Sequence, residues 1–140
     1  MSDRYFLDTN IFAYSFDHQS KGKRDRAQRL IAQALQDNLG LISTQVIQEF
    51  FNVALKKFER PMERREAELY LHQVFGPLCE VFPTLALYEK TLIVRETTGY
   101  SFYDSLILSA ALIGRCQILY SEDLQHGQTI EGMRIENPFL

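Results

Sequence analysis

Short apolar runs, set apart by longer stretches with helical spacing, constrain this chain more than any other feature. Tyr5, Phe6 and Leu7 form one run, Leu41 and Ile42 a second, Val81 with Phe82 a third, and residues 116 to 120, which include Ile118, Leu119 and Tyr120, the clearest. Between the first two, Ala27, Leu30, Ile31, Ala34 and Leu35 recur as one face of a helix near 23 to 37, after a short helix that runs through Phe16. Further helices are expected from a Ser43 or Thr44 cap to about Phe58, from about 63 to 75 with a stop at Gly76 and Pro77, from Thr84 to Thr97, and from a Ser101 cap to a stop at Gly114. Met133, Arg134 and Ile135 add a final edge strand. The alternation predicts an α/β domain: a mostly parallel sheet of about five short strands with helices on both faces.

A chain of 140 residues with 46% hydrophobic content builds one core, so residues 1 to 140 are expected to form a single domain. Cys79 and Cys116 belong to no ligand-like spacing, which argues against zinc and against a disulfide framework and favours reduced thiols in a cytoplasm. The three apolar residues after Asp3 and Arg4 are too few for a signal peptide, and no apolar run approaches a membrane span. A net charge of −3 speaks against a generic DNA-coating protein. Its basic residues nevertheless cluster, at Lys21, Lys23, Arg24, Arg26 and Arg29 and again at Lys56, Lys57, Arg60, Arg64 and Arg65. Solvated helix faces account for such runs more readily than phosphate steering does.

Four acids stand at the junctions of these elements. Asp8 ends the first apolar run, Asp123 follows the run at 118 to 120, and Glu49 and Asp104 ride on helices. In a parallel sheet, ligands bind beyond the carboxyl ends of the strands where strand order reverses, which makes Asp8 and Asp123 partners. Each acid has a plainer reading alone: Asp8 as a helix cap, Asp104 as the last member of a Ser101 capping box, Asp123 as a first-turn acid, and Glu49 as an exposed helix residue. Their convergence carries the functional signal. Two like charges about 4 Å apart repel by about 4 kcal/mol at an effective dielectric near 20, so the group must protonate, spread apart or hold a hard cation such as Mg²⁺ or Mn²⁺. Metal-dependent phosphodiester hydrolysis is the chemistry this suits. His18, His72 and His126 share no spacing, and the serine-hydrolase, P-loop and dinucleotide motifs are missing. Tyr14, Tyr100, Phe102 and Tyr103 flank the acidic segments and offer stacking faces for unpaired bases, although core packing accounts for at least half of them.

Taken in order, DTN at Asp8 to Asn10, QEF at Gln48 to Phe50, YDSLIL at Tyr103 to Leu108 and SEDL at Ser121 to Leu124 resemble the PIN domain family over essentially the whole length, closest to the VapC-type toxins of toxin–antitoxin pairs. The resemblance implies a three-layer α/β/α sandwich, a catalytic and metal-binding quartet of Asp8, Glu49, Asp104 and Asp123, and support from Asn10. Ser121 stands where many relatives carry threonine, and Glu122 is an additional acid. The implied activity is Mg²⁺- or Mn²⁺-dependent endonucleolytic cleavage of RNA by a cytoplasmic homodimer, silenced by a cognate antitoxin. Asp8 and Asp104 would hold one or two metals, with Glu49 and Asp123 binding directly or through water, and the products would carry 5′-phosphate and 3′-hydroxyl ends. A basic antitoxin side chain is expected to enter the acid cluster, and apolar residues at 44 to 75, including Phe51, Phe58 and Leu71, to meet a partner helix or a second copy where they are not core.

Three other functions compete with this one. A receiver-type phosphoacceptor needs a late lysine, whereas the last one here is Lys90, and a phosphatase would need a second aspartate where Asn10 stands. The stronger rival is a PIN-like module that grips RNA or protein without turnover, against which the intact acids argue.

Overall fold

The computed structural model describes residues 3–140. Strand β1 (Tyr5–Leu7) is wholly buried and leads through Asp8 into the short helix α1 (Thr9–Tyr14). Helix α2 (Lys21–Asp37) follows and buries Ala27, Leu30, Ile31 and Ala34, the stripe expected from the spacing except that Leu35 is exposed. It ends on Asn38, which takes the left-handed conformation at φ 60°. Gly40 therefore opens β2 (Gly40–Ser43) rather than closing the helix. A Cβ at Gly40 would lie 2.5 Å from the Ala34 Cβ and 2.8 Å from the Tyr5 ring, so glycine lets α2 and β1 approach β2 closely.

Helix α3 (Thr44–Ala54) stops a turn before Phe58 and is followed by turns. Ser43 occupies its N-cap position, yet the hydroxyl makes no capping bond and is buried without a partner among the described residues. Helix α4 (Arg64–Tyr70) continues through one π-helical turn (Leu71–Phe75) into α5 (Gly76–Leu78). The helix runs just past the stop expected at Gly76 and Pro77 and ends at Leu78: the π-helical turn before Pro77 shifts the hydrogen-bond ladder, the Gly76 N–H reaching the Leu71 carbonyl. Strand β3 (Cys79–Val81) lies earlier than the sequence suggests, leaving Phe82 exposed. Helix α6 (Leu85–Thr98), capped by the Thr84 hydroxyl, packs on α7 (Phe102–Ile113). The left-handed residue after α7 is Arg115, at φ 61°, not Gly114.

Strands β4 (Ile118–Tyr120), β5 (Thr129–Ile130) and β6 (Met133–Glu136) complete a six-stranded sheet in the order β3-β2-β1-β4-β6-β5. Every pairing is parallel except that of β5 with β6. Two expectations are corrected here. The sheet has six strands rather than five, and the strand at Met133 lies inside it, between β4 and β5, because the chain turns at Glu131 and Gly132 and sends β6 back beside β4. β5, with two residues, is too short to show a period of its own.

Helices cover both faces of this mostly parallel sheet, giving the three-layer α/β/α arrangement. Beneath α1 and α3 the core is aromatic: Phe50 stacks on Tyr70 at 5.2 Å and 18°, and the ring of Phe75 meets both edge-on. Phe51, Phe58 and Leu71 pack against this core and are partly buried. The strand order reverses between β1 and β4, whose neighbours lie on opposite sides. Both strands deliver their carboxyl ends to that point, and the Asp8 N–H bonds the Tyr120 carbonyl at 3.0 Å across it.

Candidate active site

Asp8 is the buried centre of the site, with only 7% of its surface exposed. Leaving β1, the backbone stays extended at Asp8, which caps α1 by accepting from the Thr9 N–H at 2.7 Å. Its other oxygen accepts from the Ser121 hydroxyl, also at 2.7 Å. Ser121 lies just past β4, and its Oγ in turn accepts from the Asp123 N–H at 3.2 Å. One hydroxyl thus ties the first acid to the backbone of the last. Burial pushes the Asp8 carboxyl up to about 7; the hydrogen bonds from Ser121 and Thr9 oppose the rise, and the charges of Glu49 and Asp123 add to it.

Glu49 joins through α1: the Thr9 hydroxyl donates to Glu49 Oε1 at 2.7 Å. Gln45, one turn earlier on α3, donates to Glu49 Oε2 at 3.3 Å and to the Tyr103 carbonyl at 3.1 Å. Asp123 accepts from the Asn10 side chain at 3.2 Å. Asp8, Glu49 and Asp123 are therefore brought together as charges that feel one another, each held by a neutral donor. Asp104 is placed less directly. It sits in the first turn of α7, where its N–H bonds the Ser101 hydroxyl at 3.2 Å, and Gln45 grips the carbonyl of the residue before it. The Asp104 carboxylate itself makes no hydrogen bond or ion pair among the described residues, so only half of the expected capping box forms.

Glu122 turns away from this group. It accepts from the Tyr14 hydroxyl at 2.6 Å and pairs with Lys23 at 2.8 Å. Burial pushes its carboxyl up, but the bonds from Lys23 and Tyr14 outweigh that and hold it below the usual range. The first basic cluster is largely consumed in such contacts: Arg24 bonds His18 and Arg26 bonds the Pro138 carbonyl. Lys56, Lys57, Arg60 and Arg65 remain exposed. Of the flanking aromatics, Tyr14 and Tyr100 are half-buried and hydrogen-bonded to Glu122 and Gln128, whereas Phe102 and Tyr103 are exposed, Tyr103 by 64%.

The donor set suits a hard divalent cation in kind, being carboxylates plus two buried amide oxygens, Asn10 Oδ1 and Gln45 Oε1, that have no hydrogen-bond partner among the described residues. Among the described residues no three acidic, histidine or cysteine side chains are gathered into a ready metal cage. The acids are spread over separate hydrogen bonds, and the innermost favours its proton, which are two of the responses open to converging like charges. Sequence reasoning missed Thr9 and Gln45 as members of the site. Thr9 lies within the DTN stretch, and Gln45 sits four residues before Glu49 on the same helix, so position in the motif and helical spacing were the available signals.

An acid group at the reversal point of a parallel sheet places the chain among the α/β proteins that hold their ligand at the strand carboxyl ends. The PIN domain model matches residues 5–129, and the chain belongs to the PIN domain family. No curated protein shows significant similarity in sequence. Among solved structures, a toxin–antitoxin complex from Klebsiella pneumoniae is similar at a TM-score of 0.68 and 18% identity, over 96% of this chain and 97% of that one. VapBC2 from Rickettsia felis, bound to a DNA fragment from its promoter, gives 0.66 and 19%, over 94% and 96%. VapC20 from Mycobacterium tuberculosis, a toxin that cleaves the sarcin–ricin loop, gives 0.61 and 19%, over 85% and 89%.

Proposed function

We propose that this chain is a Mg²⁺- or Mn²⁺-dependent endoribonuclease, the toxin of a toxin–antitoxin pair. The observation that carries the reading is the linkage of Asp8, Glu49 and Asp123 around one buried carboxylate, within a chain that matches the family model over most of its length. Structural likeness to VapC20, a sarcin–ricin loop cleaving toxin, supports RNA as the substrate class. Asp8, Glu49, Asp104 and Asp123 would hold the metal. When bound, it would lower the pKa of an attacking water and stabilise the leaving oxygen. Ser121 and the Thr9 N–H orient the Asp8 oxygens, the Thr9 hydroxyl and Gln45 orient Glu49, and Asn10 orients Asp123. Exposed Phe102 and Tyr103 beside Asp104 offer faces to unpaired bases, and Lys57 and Arg60 offer charge to phosphates.

The complexes from Klebsiella pneumoniae and Rickettsia felis support an antitoxin as partner. Among the described residues the acid group bonds only neutral donors, so an arginine or lysine from that partner would neutralise it and displace metal. The apolar side chains at 44 to 75 are mostly spent on the core. A homodimer draws better support from Phe82, Leu85, Leu92 and Ile93, all at least 59% exposed on and just before α6. Two free thiols and an RNA substrate accord with action in the cytoplasm.

The test is cleavage of total RNA by wild type and Asp104→Asn with Mn²⁺ or Mg²⁺ and with EDTA, mapping product ends. Discrete metal-dependent cuts with 5′-phosphates, lost in the variant, are expected. Metal binding without any cleavage would transfer the reading to a catalytically silent RNA- or protein-binding module.

A further inference from the structure

Glu122 is an acid between two residues of the site that takes no part in it. Ser121 reaches Asp8 and Asp123 reaches Asn10, while the carboxylate between them meets Tyr14 and Lys23 on the far side. Tyr14 lies four residues after Asn10, so α1 grips the segment after β4 at two points one helical turn apart. Lys23 adds a third point from α2: its ammonium bonds both the Tyr14 hydroxyl, at 3.2 Å, and Glu122, and stands 4.6 Å from the Tyr14 ring centroid and 5.7 Å from that of Phe139. The Phe139 ring meets Tyr14 edge-on at 4.9 Å, and Arg26 bonds the Pro138 carbonyl, so the last residues of the chain back the same contact.

We infer that Glu122, held by Tyr14 and Lys23, is a positioning residue: a latch that fixes the backbone of Ser121 to Asp123, and through it the placement of the Asp123 carboxylate against Asp8. Lys23 has a second effect. By pairing with Glu122 it keeps a further negative charge from swinging toward Asp8, Glu49 and Asp123, whose charges already act on one another. The latch rests on the nuclease reading for its consequence, but its geometry stands on this chain's own contacts.

The test uses the full chain and Mn²⁺ as probe. Glu122→Ala and Lys23→Met are expected to weaken Mn²⁺ binding, read by titration calorimetry, by about 10- to 100-fold, the range for residues that orient metal ligands. They should lower kcat on an RNA oligonucleotide while leaving KM unchanged, and hasten amide exchange at 121 to 125. The exchanged pair Lys23→Glu with Glu122→Lys should recover most of the lost affinity. A merely structural role would lower the unfolding midpoint without moving Mn²⁺ affinity. Should Glu122→Ala fold poorly, Glu122→Gln, which retains an acceptor for Tyr14, takes its place. Wild-type Mn²⁺ affinity in both single variants would overturn the latch. A wild type that binds Mn²⁺ but cuts no RNA would sink the nuclease reading and leave the affinities to decide the latch, and one that binds no Mn²⁺ would overturn both.

Discussion

Replacing Asp8 with asparagine should stabilise the protein, and by an amount that depends on pH. The Asp8 carboxyl titrates near 3.8 without its folded surroundings and at about 7 within them, chiefly because it is buried. A group whose pKa rises on folding contributes its full stability below the unfolded value and loses it as pH climbs through the folded value, since the native state must then surrender a proton it prefers to keep. The gap between 3.8 and about 7 corresponds to about 4 kcal/mol. Asparagine carries no such charge. Its oxygen can still accept from the Thr9 N–H and its amide can donate to the Ser121 oxygen, so the local bonds survive. The advantage of Asp8→Asn over wild type should therefore grow by about 3 kcal/mol between pH 5 and pH 8, and titrating groups not coupled to Asp8 cancel in the difference. Urea unfolding with EDTA present measures it: at an m-value of about 2 kcal/mol/M, the gap between midpoints should widen by about 1.5 M. A difference that stays flat from pH 5 to pH 8 would refute the placement of a strained carboxyl at this position.

Adding Mn²⁺ at pH 8 should reverse the cost, raising the wild-type midpoint by about 2.7 kcal/mol of stability at a hundred times the dissociation constant and leaving Asp8→Asn unmoved; the same urea titration reads both. Gln45→Ala frees the Tyr103 carbonyl and one Glu49 oxygen together, and should cost about 1–3 kcal/mol in the unfolding midpoint. Tyr103→Ala should raise KM for single-stranded RNA by the equivalent of about 1–3 kcal/mol with little change in kcat, because the exposed ring would touch a base and not the scissile phosphate; steady-state cleavage of an oligonucleotide separates the two parameters.

Asp8 was legible because the apolar run before it ends in that acid, and Asp123 because it closely follows the run at 118 to 120, so both lie at strand carboxyl ends of a parallel sheet. Glu49 followed from helical spacing. Asp104 was legible as a residue but not as a neighbour, since its tie to the others passes through the Tyr103 carbonyl, and a backbone atom leaves no mark in a sequence. The role of Glu122 was hidden for a similar reason, its partners lying 108 and 99 positions away. In the fold, the missed strand is too short for any period, and the helix stop expected at Gly76 falls slightly early because a π-helical turn just before it carries the helix on to Leu78. The aromatic cluster around Phe50, Tyr70 and Phe75 carries the chain through that point as a single packed unit.

Helix α1 and its cap Asp8 hold one side of the site, yet two of the groups they meet, Ser121 at Asp8 and Asp123 at Asn10, stand 113 positions further along. During synthesis the ribosome releases α1 well before those partners. A chain still tethered before β4 emerges has Asp8 and its bond from the Thr9 N–H, but neither Ser121 nor Asp123 beside it. On the proposed activity, the order of translation is itself a safeguard: a nascent toxin is harmless to the RNA that is making it, and becomes competent only when its final strands close over its first.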